Sequence, residues 1–282
     1  MLVRKNLFWI ILSIILVFSV VFFSNLNKKE EKELINQKQD ISKTWEKNYP
    51  YRKYLHVKNF YKNLAPKAIK ICLEYNVPPA AVLAIAGVES GYGRGYIAKI
   101  TGNILSLGAK KGEAMLPALY LPNIINLPNK VLYNKKMIDK YTKDELDWMK
   151  RPPSFKKDYR PKGIAGSKKS LDFFDKNPEK RLSANIANIE DFCKNWINKN
   201  RSQKAFVNAR KMLNNSVRLY SKNILFTKEI NDKFIDMIGG KKNSFNHRKS
   251  WPKKIKLIMN RVGLIALSQS LHVSQKKFDD LW

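Results

Sequence analysis

Cysteine is nearly absent: Cys72 and Cys193 are the two in 282 residues. A chain of this length buries enough core to fold without disulfide stapling, and two isolated thiols make no metal site. In an oxidising compartment they could pair; otherwise they are buried free thiols. Histidine is almost as scarce, and His56, His247 and His272 lack metal-ligand spacing. No metal and no cofactor is therefore expected. Glycine and proline number only 12 each, which excludes collagen-like and low-complexity chains. A phosphate-cradling glycine loop and a nucleophile elbow are both missing, so nucleotide chemistry and serine hydrolysis have no support. No internal repeat recurs at a fixed period. What remains, with 44% hydrophobic and 11% aromatic residues, is the composition of a folded globular protein.

Acidic residues are also in short supply. Lysine plus arginine number 54 against 23 aspartate plus glutamate, a net charge of +31 spread along the chain. Such a surface attracts polyanions, and nucleic acid, anionic lipid and acidic wall polymers all qualify. The N-terminus selects among them. From Asn6 to Asn27 there is no charged residue, and Leu7 to Phe23 is apolar apart from Ser13 and Ser19. About 20 apolar residues span the roughly 30 Å hydrocarbon layer as a helix. No small-residue cleavage site follows, so residues 1–27 read as an uncleaved transmembrane signal anchor. Arg4 and Lys5 before the span and Lys28, Lys29 and Lys32 after it leave the positive-inside count undecided. A short basic tail before one span usually sends the long part across, which puts the globular part outside the cytoplasm and disfavours nucleic acid as a partner. Membrane contact is expected through the anchor, with anionic lipids or wall polymers attracted to the basic surface. Residues 28–45 mix charges of both signs and form a stalk.

Beyond residue 45 the pattern is helical. Pro66 fits a first turn, placing a helix over 65–75. Val77-Pro78-Pro79 breaks it, and Pro79 restarts a helix running to about 90. Prolines at 117, 122, 128, 152, 153 and 161 punctuate an irregular lobe over 102–165, with a small hairpin expected around Lys130–Met137 and a capping box at Thr142–Glu145. Asn177-Pro178 opens a long core helix carrying Leu182, Ile186, Ile189, Cys193 and Trp196. Further amphipathic stretches cover 203–220, 227–238 and 251–272. The expected fold is mainly α, a helical body with an irregular or small β lobe.

The chemistry concentrates at Glu89. Val82, Ile85, Ala86 and Glu89 recur at helical spacing, so a carboxylate joins a stripe that otherwise reads as buried. Gly91, Gly93 and Gly95 then end the helix and let a large ligand approach the backbone. A desolvated carboxyl tends to keep its proton near neutrality, and cleaving a glycosidic bond needs a proton donor for the departing oxygen. Read from periodicity alone, Glu89 could equally sit at the helix edge and pair with Arg94 or a lysine.

The run Val77–Gly93, ending in Glu89-Ser90-Gly91-Tyr92-Gly93, is followed by Ile97-Ala98 and Asn103-Ile-Leu-Ser-Leu-Gly108. In order and spacing it resembles the bacterial endo-β-N-acetylglucosaminidase domain of flagellar peptidoglycan hydrolases and autolysins. The resemblance covers about 58–112 clearly and extends weakly to about 200, with Arg181 to Asp191 similar to a later helix of the family. It implies a lysozyme-like helical fold over 46–200, peptidoglycan glycan strands as substrate and Glu89 as general acid. Ser90, Gly91, Tyr92 and Gly93 would floor the glycan groove, and Asn103 matches the family asparagine. Ser106 stands where an aromatic is usual, and Tyr159 is a groove-lining candidate. The family's Thr-Glu-Tyr-like segment has no counterpart; Glu113 and Asp158, and beyond them Asp139 and Glu145, are candidates for a second carboxylate. Residues 201–282 read as a helical C-terminal extension. A lytic transglycosylase on the same fold and a catalytically silent wall-binding scaffold are the competing readings.

Overall fold

The structure, a computed structural model, describes residues 48–282 apart from 118–119, 133–134, 151–154, 169, 201 and 275. The expected anchor and stalk lie outside these residues. Among the described helices none is long and apolar enough to cross a membrane. Tyr49–Trp282 form one compact, mainly helical unit.

Helix α1 spans Leu55–Glu74 and buries Val57, Tyr61, Leu64, Ala65, Ala68, Ile69 and Cys72 along one stripe. It begins well before the expected start at 65, and Pro66 lies inside it. The missing N–H costs a single helical hydrogen bond, while the stripe on both sides of the proline is packed and carries the helix through. Helix α2, Pro79–Ser90, starts on Pro79 and is buried on every side from Pro79 to Gly87. A helix apolar all round is a core helix. This one is the axis of the molecule, with α1 along it.

After the short helix α3, Tyr96–Thr101, comes the small lobe. Strands β1 (Tyr120–Ile124), β2 (Leu127–Val131) and β3 (Leu146–Lys150) form an antiparallel sheet in the order β2-β1-β3. The hairpin therefore precedes its expected place at Lys130–Met137. Pro122 sits in the central strand, where its carbonyl still accepts the Leu132 N–H at 2.8 Å, and Pro128 falls on the edge strand, which tolerates a missing donor. A four-residue helix α4 (Lys135–Ile138) and a 3₁₀ turn (Lys143–Glu145) lead into β3. The expected capping box is present: the Thr142 N–H donates to Glu145 at 2.7 Å. Ile124, Leu132 and Leu146 give this lobe its own small core.

Helix α5 (Phe173–Lys176) precedes α6 (Pro178–Asp191), which continues into a π-helical segment, Phe192–Asn198. The remaining helices are α7 (Lys204–Tyr220), α8 (Lys228–Ile238), α9 (Trp251–Val262), α10 (Leu264–Val273) and α11 (Phe278–Leu281). The stretch expected as one helix over 251–272 is two. Gly263 breaks it at φ +70°, and a side chain there would also strike the Tyr49 ring at 2.6 Å.

Residues beyond 200 are not an extension. Helices α8, α9 and α10 pack directly on α2, and Phe234, Ile238, Ile255, Met259 and Leu267 belong to the same buried cluster as Leu83 and Ile85. The boundary drawn at 200 has no counterpart in the packing. The buried Arg52 closes the body: its guanidinium donates to the carbonyls of Val262 at 2.8 Å and Leu281 at 2.7 Å. Burial lowers its pKa to about 10. Inside the core the Sγ atoms of Cys72 and Cys193 lie 3.9 Å apart as free thiols.

Candidate active site

Glu89 sits in the last turn of α2. Gly91 ends the helix in the left-handed region at φ +56°, and the Tyr92 N–H returns to the Gly87 carbonyl at 2.8 Å. Ser90 builds this turn from inside: its hydroxyl donates to the Ala86 carbonyl at 2.5 Å and accepts the Gly93 N–H at 2.8 Å. Ser90 is 2% exposed, so it shapes the turn and presents nothing to a groove. Glu89 remains half-buried.

Two groups from distant parts of the chain act on its carboxylate. The indole N–H of Trp251, the first residue of α9, donates to Glu89 Oε1 at 2.6 Å. Lys156 is the second. Burial pulls its pKa below the ordinary lysine value, and the negative charge of Glu89 opposes that pull. The Lys156 Nζ donates to the Ser106 carbonyl at 2.6 Å. Ser106 itself sits at φ +57°, an uncommon conformation for a residue with a side chain. Its contribution is thus a backbone carbonyl that holds a cation.

The loop bearing Ser106 is fixed by two buried asparagines. Asn103 Nδ2 donates to the carbonyls of Leu107 at 2.8 Å and Lys157 at 2.9 Å, while its Oδ1 accepts the Leu107 N–H at 2.8 Å. Asn188 on α6 accepts the Leu105 N–H at 2.9 Å. With both ends of its amide committed and 1% exposure, Asn103 staples the loop.

Tyr92 turns toward α1. Its ring meets Phe60, Tyr61 and His56 edge-on at centroid distances of 6.1, 6.1 and 5.6 Å. Burial pushes its pKa up to about 12. Together with Gly93, Arg94 and Arg181 it lines a cavity of about 390 Å³. Gly91 keeps open space where a side chain would stand. Of the motif's predicted groove residues, then, Tyr92 and Gly93 line a cavity with α1, whereas Glu89 faces α9.

Both expected second carboxylates are already engaged by cations. Asp158 forms a fully buried ion pair with Arg160 at 2.6 Å and also accepts the Gly166 N–H at 2.8 Å. Glu113 accepts from Lys157 Nζ at 2.8 Å and from the Lys110 N–H at 2.9 Å. Of the outlying candidates, Asp139 is exposed and Glu145 caps its own turn.

A carboxylate that the sequence reading did not single out does organise this region. Asp191 ends α6 and receives Lys157 Nζ at 2.7 Å, the Tyr159 hydroxyl at 2.6 Å and Asn195 Nδ2 at 2.7 Å. Burial alone would raise its pKa, yet the three donors outweigh that and hold it below the ordinary aspartate value. Tyr159 is accordingly a donor to Asp191, its own pKa raised by burial and by that bond. Its ring lines a shallow cavity with Lys157 and Lys194.

The linkage sign follows from the lowered Asp191 pKa. Stability from this carboxylate is present above the unfolded value near 4 and is lost as pH falls through the lower folded value. Asp191→Asn is expected to lower stability at pH 7 by about 1.5–3 kcal/mol, the usual contribution of a charged hydrogen bond. The urea midpoints of the two proteins should then converge as pH falls below the ordinary aspartate range. A gap that stays constant from pH 7 to pH 2 would contradict this account.

Among the described residues, no group of three or more His, Cys, Asp or Glu is placed to hold a metal ion. No family model matches this chain, and no curated protein matches it. Among solved structures, the chain is distantly similar in fold to the catalytic domain of the autolysin Auto from Listeria monocytogenes. The identity is 13%, the TM-score 0.43, and the match covers 76% of this chain and 88% of that one.

Proposed function

We propose that this chain cleaves β-1,4 glycosidic bonds of peptidoglycan at N-acetylglucosamine, with Glu89 as the general acid. The observation that carries this reading is a half-buried carboxylate at the end of a core helix, held from one side by a hydrogen-bond donor at 2.6 Å. The glycine-rich exit of that helix supports it by leaving the neighbouring backbone uncovered at Gly91. Residues 1–27 anchor the protein in the membrane, with the globular part on the outer side facing the wall. The +31 charge holds it to anionic polymers there, an attraction that salt weakens.

In the reaction, Glu89 gives its proton to the bridging oxygen as the C1–O bond breaks. The electron pair of that bond leaves with the oxygen. A second reading concerns what fills C1 next, and the commitment of Asp158 and Glu113 to lysines and arginines favours a route with a single carboxylate. The N-acetyl oxygen of the sugar can attack C1 and later yield to water, which gives a reducing end. Alternatively, a muramyl C6 hydroxyl closes on its own C1, its proton returns to Glu89, and a 1,6-anhydro end forms without water.

The test is incubation of the full-length chain with purified peptidoglycan beside Glu89→Gln. Release of soluble fragments should fall by about 10²–10⁴-fold in the variant, the usual contribution of a general acid. Reducing N-acetylglucosamine ends identify hydrolysis and 1,6-anhydro-muramic ends identify transglycosylation. Equal release by both proteins removes Glu89 from the mechanism, and no release by either identifies a silent wall-binding scaffold.

A further inference from the structure

We infer that Trp251 is the positioning residue for Glu89, fixing which carboxyl oxygen carries the proton; this rests on the reading of Glu89 as the acid. An indole N–H only donates. It therefore needs an acceptor at Oε1 whether Glu89 is ionised or protonated. The hydroxyl oxygen of a carboxylic acid is a poor acceptor, so the proton belongs on Oε2. With the proton assigned and Oε1 held by a bond of 2.6 Å, one side of the acid is dedicated to holding and the other to delivery.

The indole can do this because it cannot move. Trp251 is 4% exposed. Its six-membered ring lies close against Gly239, where an added Cβ would fall 2.1 Å from Cε3 and 2.3 Å from Cζ3. Phe245 packs on it with ring centroids 5.5 Å apart, and Phe245 in turn meets Phe192 at 5.5 Å and Trp196 at 6.1 Å. The loop between α8 and α9 is pinned as well: the Phe245 N–H donates to Ile238 at 2.7 Å and the Gly240 N–H to Asn246 at 2.8 Å. Gly239 has an extended backbone, φ −138° and ψ 176°, so any residue could adopt its conformation. What it lacks is room, and the occupant of that room is the indole. A side chain locked by its surroundings is what a catalytic group needs in a partner, since an error of about 1 Å at the reacting centre costs about 10²-fold in rate.

The experiment uses the full-length chain. Trp251→Phe keeps the ring and removes the donor; kcat for peptidoglycan cleavage should fall about 100-fold while KM stays within about twofold, because the bond orients the acid without binding sugar. Gly239→Ala keeps the donor but displaces the ring and should show the same split between kcat and KM. A readout independent of activity is the Trp251 indole N–H resonance in ¹⁵N-labelled protein, assigned by its loss in Trp251→Phe. In Glu89→Ala it should move upfield as the hydrogen bond is lost. If Trp251→Phe does not fold, the Gly239→Ala kinetics and the Glu89→Ala spectrum, with the resonance assigned by another Trp251 substitution, decide the question. Unchanged kcat in a folded Trp251→Phe, or a resonance indifferent to Glu89→Ala, overturns the inference. Loss of cleavage in Glu89→Gln with full cleavage in Trp251→Phe sinks the positioning role and leaves the proposed function standing. Full cleavage in Glu89→Gln removes the proposed function and the inference with it.

Discussion

A fragment ending at residue 200 is expected to be unfolded, although it contains every residue of the Glu89 motif. Cutting there strips α2 of the helices that cover it. Phe234, Ile235, Ile238, Ile255, Met259, Val262, Leu264 and Leu267 are all buried in the intact molecule. At about 1.5–3 kcal/mol for each buried side chain, these eight amount to about 12–24 kcal/mol, as much as or more than the roughly 5–15 kcal/mol that holds a domain together. It also deletes Trp251 and so releases Glu89. Circular dichroism of residues 46–200 should show residual helix without a cooperative thermal transition. A sharp, reversible melt in that fragment would mean that the residues beyond 200 are dispensable for the fold.

The second large effect is expected at Asp158 and Arg160. Their side chains are both fully buried, and each satisfies the other: Asp158 Oδ2 accepts from Arg160 Nη2 at 2.6 Å, and the backbone N–H of Arg160 also reaches Oδ1 at 3.0 Å. Arg160 Nη2 donates further to the Ser167 carbonyl at 3.1 Å. Removing one partner strands a charge without water, a loss of about 3–5 kcal/mol. In a domain of this size that lowers the melting temperature by on the order of 10 °C. Asp158→Asn and Arg160→Met should each show the drop, whereas replacing both with apolar residues of similar volume should cost less than either alone. The same variants separate structure from chemistry. If Asp158 were a second catalytic carboxylate, Asp158→Asn would lose cleavage while melting like the parent; the buried pair predicts the reverse order of effects at a temperature where the variant is still folded.

The parts of this molecule that were readable in the sequence are those encoded locally. Helix α2 announces itself through Pro79 at its start, an apolar run and Gly91 at its end, and all three act where they were expected. Thr142 and Glu145 likewise form their capping box within four residues. The failures share a different cause. Pro66 suggests a helix start and Pro122 a break by their backbone chemistry, but packing across the chain overrides the first and strand geometry absorbs the second. Ser90 and Asn103 belong to the motif, yet burial assigns them to the scaffold. Asp191 and Trp251 carried no signal at all, because their importance comes from partners 34 and 162 positions away. A pattern of letters does not reveal a bond that only the closed fold creates.

Lys156 and Lys157 are neighbours in the chain, but an extended backbone throws successive side chains to opposite sides. One ammonium rests on the Ser106 carbonyl within the field of Glu89, and the next bridges Glu113 and Asp191. Two charge networks are thus supplied by a single dipeptide. Deleting one residue just before it would move Lys157 into the place of Lys156 and bring the Asp158 carboxylate against Glu113 and Asp191, so this short stretch is sensitive to any change in length.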